Sequence, residues 1–280
     1  MLQATAEMLQ KARSDGYAVG AFNIYNMEGA LAVLQTAERL QSPVILQLLP
    51  RALQICGNPL IAFCRAAAHN THIPVAVHLD HCPDENIIKN AIAGGISSVM
   101  ADGSHLPLAE NIAFSRRIAA LAKTVNVGVE GELGLLSGEE DGLVTLEAQA
   151  KMTVPEEAAR FVEETGVDAL AVCIGNVHGK YVKPPQLDFE RLGALAEKIT
   201  VPLVLHGTSG LPDDMIKKSI SYGVAKFNVN TEVRSTYVRA MKRFSSRQGI
   251  ELVQLMEGCI EAMQKPIEQK ILLFGSNGRT

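Results

Sequence analysis

Eight short runs of β-branched and aliphatic residues recur along the chain, separated by segments whose apolar positions repeat with helical spacing. The runs are AVGAFNI (18–24), PVILQLL (43–49), VAVHLD (75–80), SSVMAD (97–102), NVGVEGEL (126–133), ALAVCIG (169–175), VPLVLHGT (201–208) and AKFNVNT (225–231). Between them lie stretches rich in Ala, Leu, Glu, Lys and Arg, such as MEGALAVLQTAERLQ (27–41) and PLAENIAFSRRIAALAKT (107–124). Short, continuously apolar strands separated by helices predict a parallel sheet covered on both faces. Eight such units in about 250 residues fit a closed (β/α)8 TIM barrel better than an open sheet, with a doubly wound sheet as the structural alternative. No long polar linker divides the chain, so residues 1–280 read as one barrel domain. Helical pattern before the first strand and again at roughly 249–270 predicts extra helices that cap or dimerise the barrel, and FGSNGRT at the end reads as a polar, mobile tail.

A barrel places its chemistry at the C-terminal ends of its strands. In this chain polar residues gather at those tips: Asp80 and His81 on the third run, Asp102 on the fourth, Glu130 and Glu132 on the fifth. The sixth run leads into GNVHG with His178, the seventh into HGTSG with His206, and the eighth ends in NVNT. The opposite ends carry nothing comparable. Three histidines at one mouth suit a zinc ion that keeps an open coordination position. The remaining histidines fit less well. His69 and His72, in AAAHNTHIP, read as solvated, His78 points back into the barrel as an outer partner, and His105 follows Ser104 too closely for a serine–histidine pair.

Asp80 directly precedes a candidate ligand, which suits a general acid/base, the competing role being to orient a histidine. Asp102 and Glu132 would add negative charge beside a cation, or cap the helices that follow. HGTSG (206–210) and NVNTE (228–232) follow strands seven and eight, where barrels often bind phosphate through backbone N–H groups. Gly207, Ser209, Asn230 and Thr231 are small enough to let an anion approach. A metal, a carboxylate and a phosphate site around one mouth point to chemistry on a phosphorylated small molecule with a polarisable carbonyl.

Composition narrows the class. Of 280 residues 47% are hydrophobic and 20% charged, as in an ordinary globular protein. The 26 basic and 30 acidic residues give a net charge of −4, so nothing in the charge suggests a nucleic-acid partner. No apolar run approaches the roughly 20 residues of a membrane helix, and the N-terminus lacks the apolar core of a signal peptide. Five cysteines without a CxxC pair fit a reduced, cytoplasmic protein.

The motifs HLDHC, DGSHLPLAEN, VEGELG, GEEDG, TGVDALAVCIGNVHGKY, VLHGTSGLPDD and KFNVNTEVR occur in an order and spacing that span almost the whole chain. The sequence resembles the class II, zinc-dependent ketose-bisphosphate aldolases, which include fructose- and tagatose-bisphosphate aldolases of carbohydrate metabolism and glycolysis. The resemblance implies that His81, His178 and His206 bind zinc, with Asp102 and Glu132 near an alternative position of the metal. It implies that Asp80 exchanges a proton with the C4 hydroxyl and that Glu140, in SGEEDG, moves the proton at C3 of dihydroxyacetone phosphate. From the residues alone, Glu139 and Glu140 read as a solvated pair. The implied donor-binding set is Gly179, Gly207, Thr208, Ser209, Asn228, Val229, Asn230 and Thr231, with a monovalent cation (Na+ or K+) near the phosphate. A homodimer or homotetramer is implied as well.

Two departures concern the other end of the substrate, and a third, at position 137, is milder. Where members that bind a second phosphate usually carry a small polar residue after strand two, this chain has LLPRAL (48–53). FSSRQGIELVQ (244–254) holds Arg247 but not the family's Asp-Pro-Arg, and Ser137 stands where glycine or methionine is common. The expected reaction is reversible cleavage of a ketose 1,6-bisphosphate to dihydroxyacetone phosphate and an aldehyde; the alternative is the same chemistry on a ketose 1-phosphate or another modified sugar phosphate. A sugar-phosphate sensor built on an inactive scaffold is the non-enzymatic competitor, opposed by the intact acid/base pair.

Overall fold

A computed structural model describes residues 1–140, 143–146, 150–179, 181 and 183–280; for residues 139, 140 and 143–145 it describes the backbone alone. The strands are β1 (Val19–Asn23), β2 (Val44–Leu48), β3 (Val75–Cys82), β4 (Ser98–Ala101), β5 (Gly128–Leu133), β6 (Gly138–Glu140), β7 (Leu143–Thr145), β8 (Ala169–Val172), β9 (Leu203–Leu205) and β10 (Val224–Val229). Helices are α1 (Thr5–Asp15), α2 (Met27–Leu40), α3 (Pro50–Cys56), α4 (Asn58–His69), α5 (Glu85–Ala93), α6 (Leu108–Lys123), α7 (Pro155–Thr165), α8 (Phe189–Lys198), α9 (Asp213–Ser221), α10 (Thr231–Ser245) and α11 (Leu252–Phe274). Each predicted apolar run coincides with one barrel strand, although β3 runs on to Cys82 and β10 starts one residue earlier, at Val224. The eight close in the order β1-β10-β9-β8-β5-β4-β3-β2, all parallel, while β6 and β7 form a separate antiparallel hairpin.

Side chains inside a barrel come from alternate positions of each strand. The lower interior is filled by Val19, Ala21, Ile45, Ala76, Met100, Ala169, Ala171 and Val204, and Met8, Leu9 and Ala12 of α1 close that end. Two residues further along the strands the interior turns polar, with buried Asn23, Gln47, His78, Asp80, Glu130, Glu132 and Asn228. The outward-facing positions pack against the helices in the larger core.

The extra C-terminal helix does more than cap. The last turns of α11 cover the barrel, packing on α2, α9 and β1, with Phe274 stacked on Phe227 at 4.8 Å between ring centres. α10 pairs with α11 along its length, with Gly258 against Phe244 near the start of α11 and Lys270 3.1 Å from Glu232 near its end. α10 and the start of α11 therefore form an antiparallel helical arm that leaves the barrel at its C-terminal mouth. Val238, Met241, Leu252 and Val253 are exposed on that arm. Phe274→Ala should cost about 3–5 kcal/mol, because it empties the contact through which α11 seals the barrel; equilibrium urea unfolding measures it.

Two local readings are corrected. The C-terminal tail is docked rather than mobile: Gly278 N–H donates to the Leu40 carbonyl at 2.9 Å, Ser42 Oγ to Ser276 Oγ at 2.8 Å, and Arg279 lies over the Tyr17 ring. His69 ends α4 instead of sitting in a loop, although it and His72 are exposed as expected. No helix among the described residues is long and apolar enough to cross a membrane.

Candidate active site

Asp80 and His81 are neighbours in β3, and in a regular strand their side chains would face opposite sides of the sheet. A register shift between Leu79 and Cys82 breaks the pairing with β4, and His81 takes a left-handed backbone with φ of 46°. Such a bulge re-aims a side chain at a functional site. Both residues thereby face the mouth, and the His81 N–H is held by the Met100 sulfur at 3.3 Å.

His178 and His206 arrive on the loops after β8 and β9. The ring centres lie 5.0 Å (His81–His178), 4.5 Å (His81–His206) and 6.2 Å (His178–His206) apart. One nitrogen from each of the three can lie within 4.8 Å of the others, and His81, Asp102 and Glu132 form an overlapping second group. Asp102 Oδ2 binds His81 Nδ1 at 2.9 Å, Glu132 Oε2 lies 3.5 Å from the same nitrogen, and Asp102 Oδ1 accepts from Ser104 Oγ at 2.7 Å. His206 Nε2 pairs with Glu130 Oε1 at 2.9 Å, while His206 Nδ1 is buried with no hydrogen bond. A buried ring nitrogen of that kind, among two further imidazoles and two carboxylates, fits a divalent metal.

The electrostatics agree. Burial disfavours charge on His81, but Asp80, Asp102 and Glu132 outweigh it and hold the imidazole well above its ordinary value. Burial and the charge of His81 push His178 down to about 3, and His206 also lies well below its ordinary value. Burial and nearby Asp102 push Glu132 up to about 7. One cationic histidine between acids, beside two neutral imidazoles, is a pocket whose positive charge a metal can replace.

Asp80 is gripped by three amides. Its Oδ2 accepts from Asn23 Nδ2 at 3.3 Å and Gln47 Nε2 at 3.1 Å, and its Oδ1 accepts from Asn228 Nδ2 at 3.1 Å. Gln47 also donates to Asn23 Oδ1 at 2.8 Å, which locks the clamp. Gln47 Oε1 and Asn228 Oδ1 are buried without a hydrogen bond, leaving acceptors at the site.

On the opposite side, loop backbones pack tightly. A Cβ at Gly207 (φ 63°) would run into the Val177 carbonyl, and one at Gly138 (φ 111°) into that of His178. The His178 N–H donates to the Ser137 carbonyl at 2.8 Å, so the base of the β6–β7 hairpin is tied to a candidate ligand. Glu140 ends β6, but its side chain, like that of Glu139, lies outside the described residues. Ser209, Gly210 and Thr231 share one cavity with Arg239 and Lys265. Thr208 Oγ1 donates to the Asn228 carbonyl at 2.7 Å, and Asn230 Oδ1 accepts from Tyr25 at 2.9 Å. The Val229 side chain packs in the outer core, which leaves only its backbone for the site.

The family model for fructose-bisphosphate aldolase class-II matches residues 3–279. The chain belongs to the class II fructose-bisphosphate aldolase family. It is accordingly a lyase of a metal-dependent family. The YdjI aldolase of Escherichia coli K12 is similar at 34% identity and a TM-score of 0.90, over 100% of this chain and 99% of that one. A candidate fructose-1,6-biphosphate aldolase from Coccidioides immitis is 35% identical at a TM-score of 0.90, over 98% and 96% of the two chains. Fructose-bisphosphate aldolase from Campylobacter jejuni shares the fold, with 22% identity and a TM-score of 0.81 over 100% and 97%.

Sequence reading of this aldolase missed four polar side chains. Asn23 and Gln47 complete the Asp80 clamp, Lys226 binds Glu130, and Asn176 holds the His206 carbonyl at 3.1 Å. For the first three the signal was a polar residue on the inward-facing positions of an apolar run: Asn23 in AVGAFNI, Gln47 in PVILQLL, and Lys226 two positions before Asn228 and four before Asn230.

Proposed function

We propose that this aldolase is zinc-dependent and reversibly cleaves a ketose 1,6-bisphosphate of the fructose or tagatose type to dihydroxyacetone phosphate and an aldehyde. The observation that carries the reading is the meeting of His81, His178 and His206 beside the clamped Asp80. A zinc ion held by the three imidazoles would supply Lewis-acid stabilisation of the oxyanion charge that develops on the donor. In cleavage, Asp80 takes the proton of the C4 hydroxyl as C4 becomes a carbonyl and the C3–C4 pair passes to C3. Glu140 then returns a proton to C3. The backbone of Gly179, Gly207, Ser209, Asn230 and Thr231 cradles the donor phosphate, with Na+ or K+ as a counter-charge. Asp102 and Glu132, grouped with His81, would offer the metal further ligands. Residues 1–280 act as one catalytic domain in the cytoplasm, a setting consistent with five free cysteines. The exposed apolar arm supports a homodimer or homotetramer.

A second reading, cleavage of a ketose 1-phosphate, is favoured by the acceptor side. Leu48 and Leu49 are buried and offer no hydroxyl after β2. Arg247 rests on the Phe244 ring beyond α10, whose 15 residues span about 22 Å from the mouth. A buried phosphate held by charge-assisted bonds gains about 1.5–3 kcal/mol per bond, so a second phosphate site would favour the bisphosphate roughly 10²-fold in kcat/KM. On this second reading the ratio of fructose 1,6-bisphosphate to fructose 1-phosphate is well below that. A ratio of that size would retain the bisphosphate reading and make Arg51 the first residue to substitute.

A further inference from the structure

Beneath the three histidines lies an ion pair that the reaction does not use. Lys226 Nζ donates to Glu130 Oε2 at 2.8 Å, and the two side chains are 1% and 3% exposed. The other carboxylate oxygen, Oε1, binds His206 Nε2 at 2.9 Å. His78 Nε2 lies 3.8 Å from Oε2, and His78 Nδ1 is anchored on Ser98 Oγ at 2.8 Å.

Burying an ion pair stabilises a fold little or not at all compared with well-packed apolar side chains. The pair's geometry suggests another use. A carboxylate held by a lysine can only accept, so the nitrogen facing it must carry hydrogen. That assigns the hydrogen of His206 to Nε2 and leaves the lone pair on Nδ1, the atom that is buried without a hydrogen bond. Lys226 in turn fixes Oε2, which keeps Oε1 directed at the imidazole and offsets the carboxylate charge. We infer that Glu130 and Lys226 are positioning residues: together they hold His206 in the one tautomer and orientation that can bind the metal through Nδ1. The inference rests on the zinc reading of the three-histidine group.

The test uses the full-length chain. The double variant Glu130→Gln/Lys226→Met removes both charges at once, so neither is left buried alone. Zinc affinity, measured by competition with a coloured chelator, should fall roughly 10- to 100-fold, the usual cost of losing an outer partner of a ligating histidine. The visible spectrum of the cobalt(II)-substituted protein should change as well, while far-UV circular dichroism stays that of the parent. An affinity within about threefold of the parent and an unchanged cobalt spectrum would overturn the inference. A second measurement needs no variant. Long-range proton–nitrogen correlation spectra of the metal-free parent should show His206 protonated on Nε2, and protonation on Nδ1 would likewise overturn it. If the parent itself bound no zinc, the zinc reading would fall and this inference with it. A parent that binds zinc as tightly as the variant removes only the inference.

Discussion

Stripping the protein with a strong chelator should abolish cleavage, and added Zn2+ should restore it. His206→Ala should lose metal and activity together, because it leaves two imidazoles and a catalytic zinc ordinarily keeps three protein ligands. Lewis-acid stabilisation of the developing oxyanion is worth several kcal/mol, so the expected loss is on the order of 10³-fold or more. Metal content by mass spectrometry, read beside the rate, links the two losses. Borohydride added with substrate should trap no lysine adduct, since Lys226, the one fully buried lysine among the described residues, is engaged by Glu130 below the site. Full activity in metal-free protein would sink the three-histidine reading.

Asp80→Ala should retain zinc and the barrel yet lose bond cleavage by roughly 10²–10⁴-fold, the range of a general acid/base. The loss should fall on kcat, because the proton moves only as the C3–C4 bond breaks. Removing the carboxylate also leaves the amides of Asn23, Gln47 and Asn228 without their acceptor. Each buried donor left unpaired costs about 1–3 kcal/mol unless water reaches it, so the melting temperature should fall too. Stability and chemistry separate in Asp80→Asn, which is nearly isosteric with the carboxylate and cannot take the proton. A rate within about threefold of the parent in either variant would make Asp80 an orienting residue.

The clamp that holds Asp80 suggests why both substrate readings keep the same donor half. Asn23, Gln47 and Asn228 come from β1, β2 and β10. Those strands adjoin one another in the barrel, so the acid/base is set by strands and not by loops. In this chain the departures from the family pattern fall at residues 48–53 and 244–254, outside that clamp.

What the sequence determined by itself was everything that depends on near neighbours. Each barrel strand could be read from its apolar run, because continuous apolar character and length are local properties of a few residues. Asp80, His81, His178 and His206 stood out because polar groups at the tips of apolar strands are costly unless they are used. The tertiary structure decided the rest. The bulge that turns His81 beside Asp80 exists only against β4, and nothing in VAVHLDHC marks a left-handed residue. Asn228 meets Asp80 across 148 positions and Lys226 meets Glu130 across 96, contacts that exist only once the barrel closes. The tail reads as mobile because SNGRT is polar, yet it docks, since the end of α2 offers it the carbonyls of Leu40 and Gln41. Local pattern fixes which residues face inward; closure of the eight strands fixes which of them touch, and that selects the partners of His206 and Asp80.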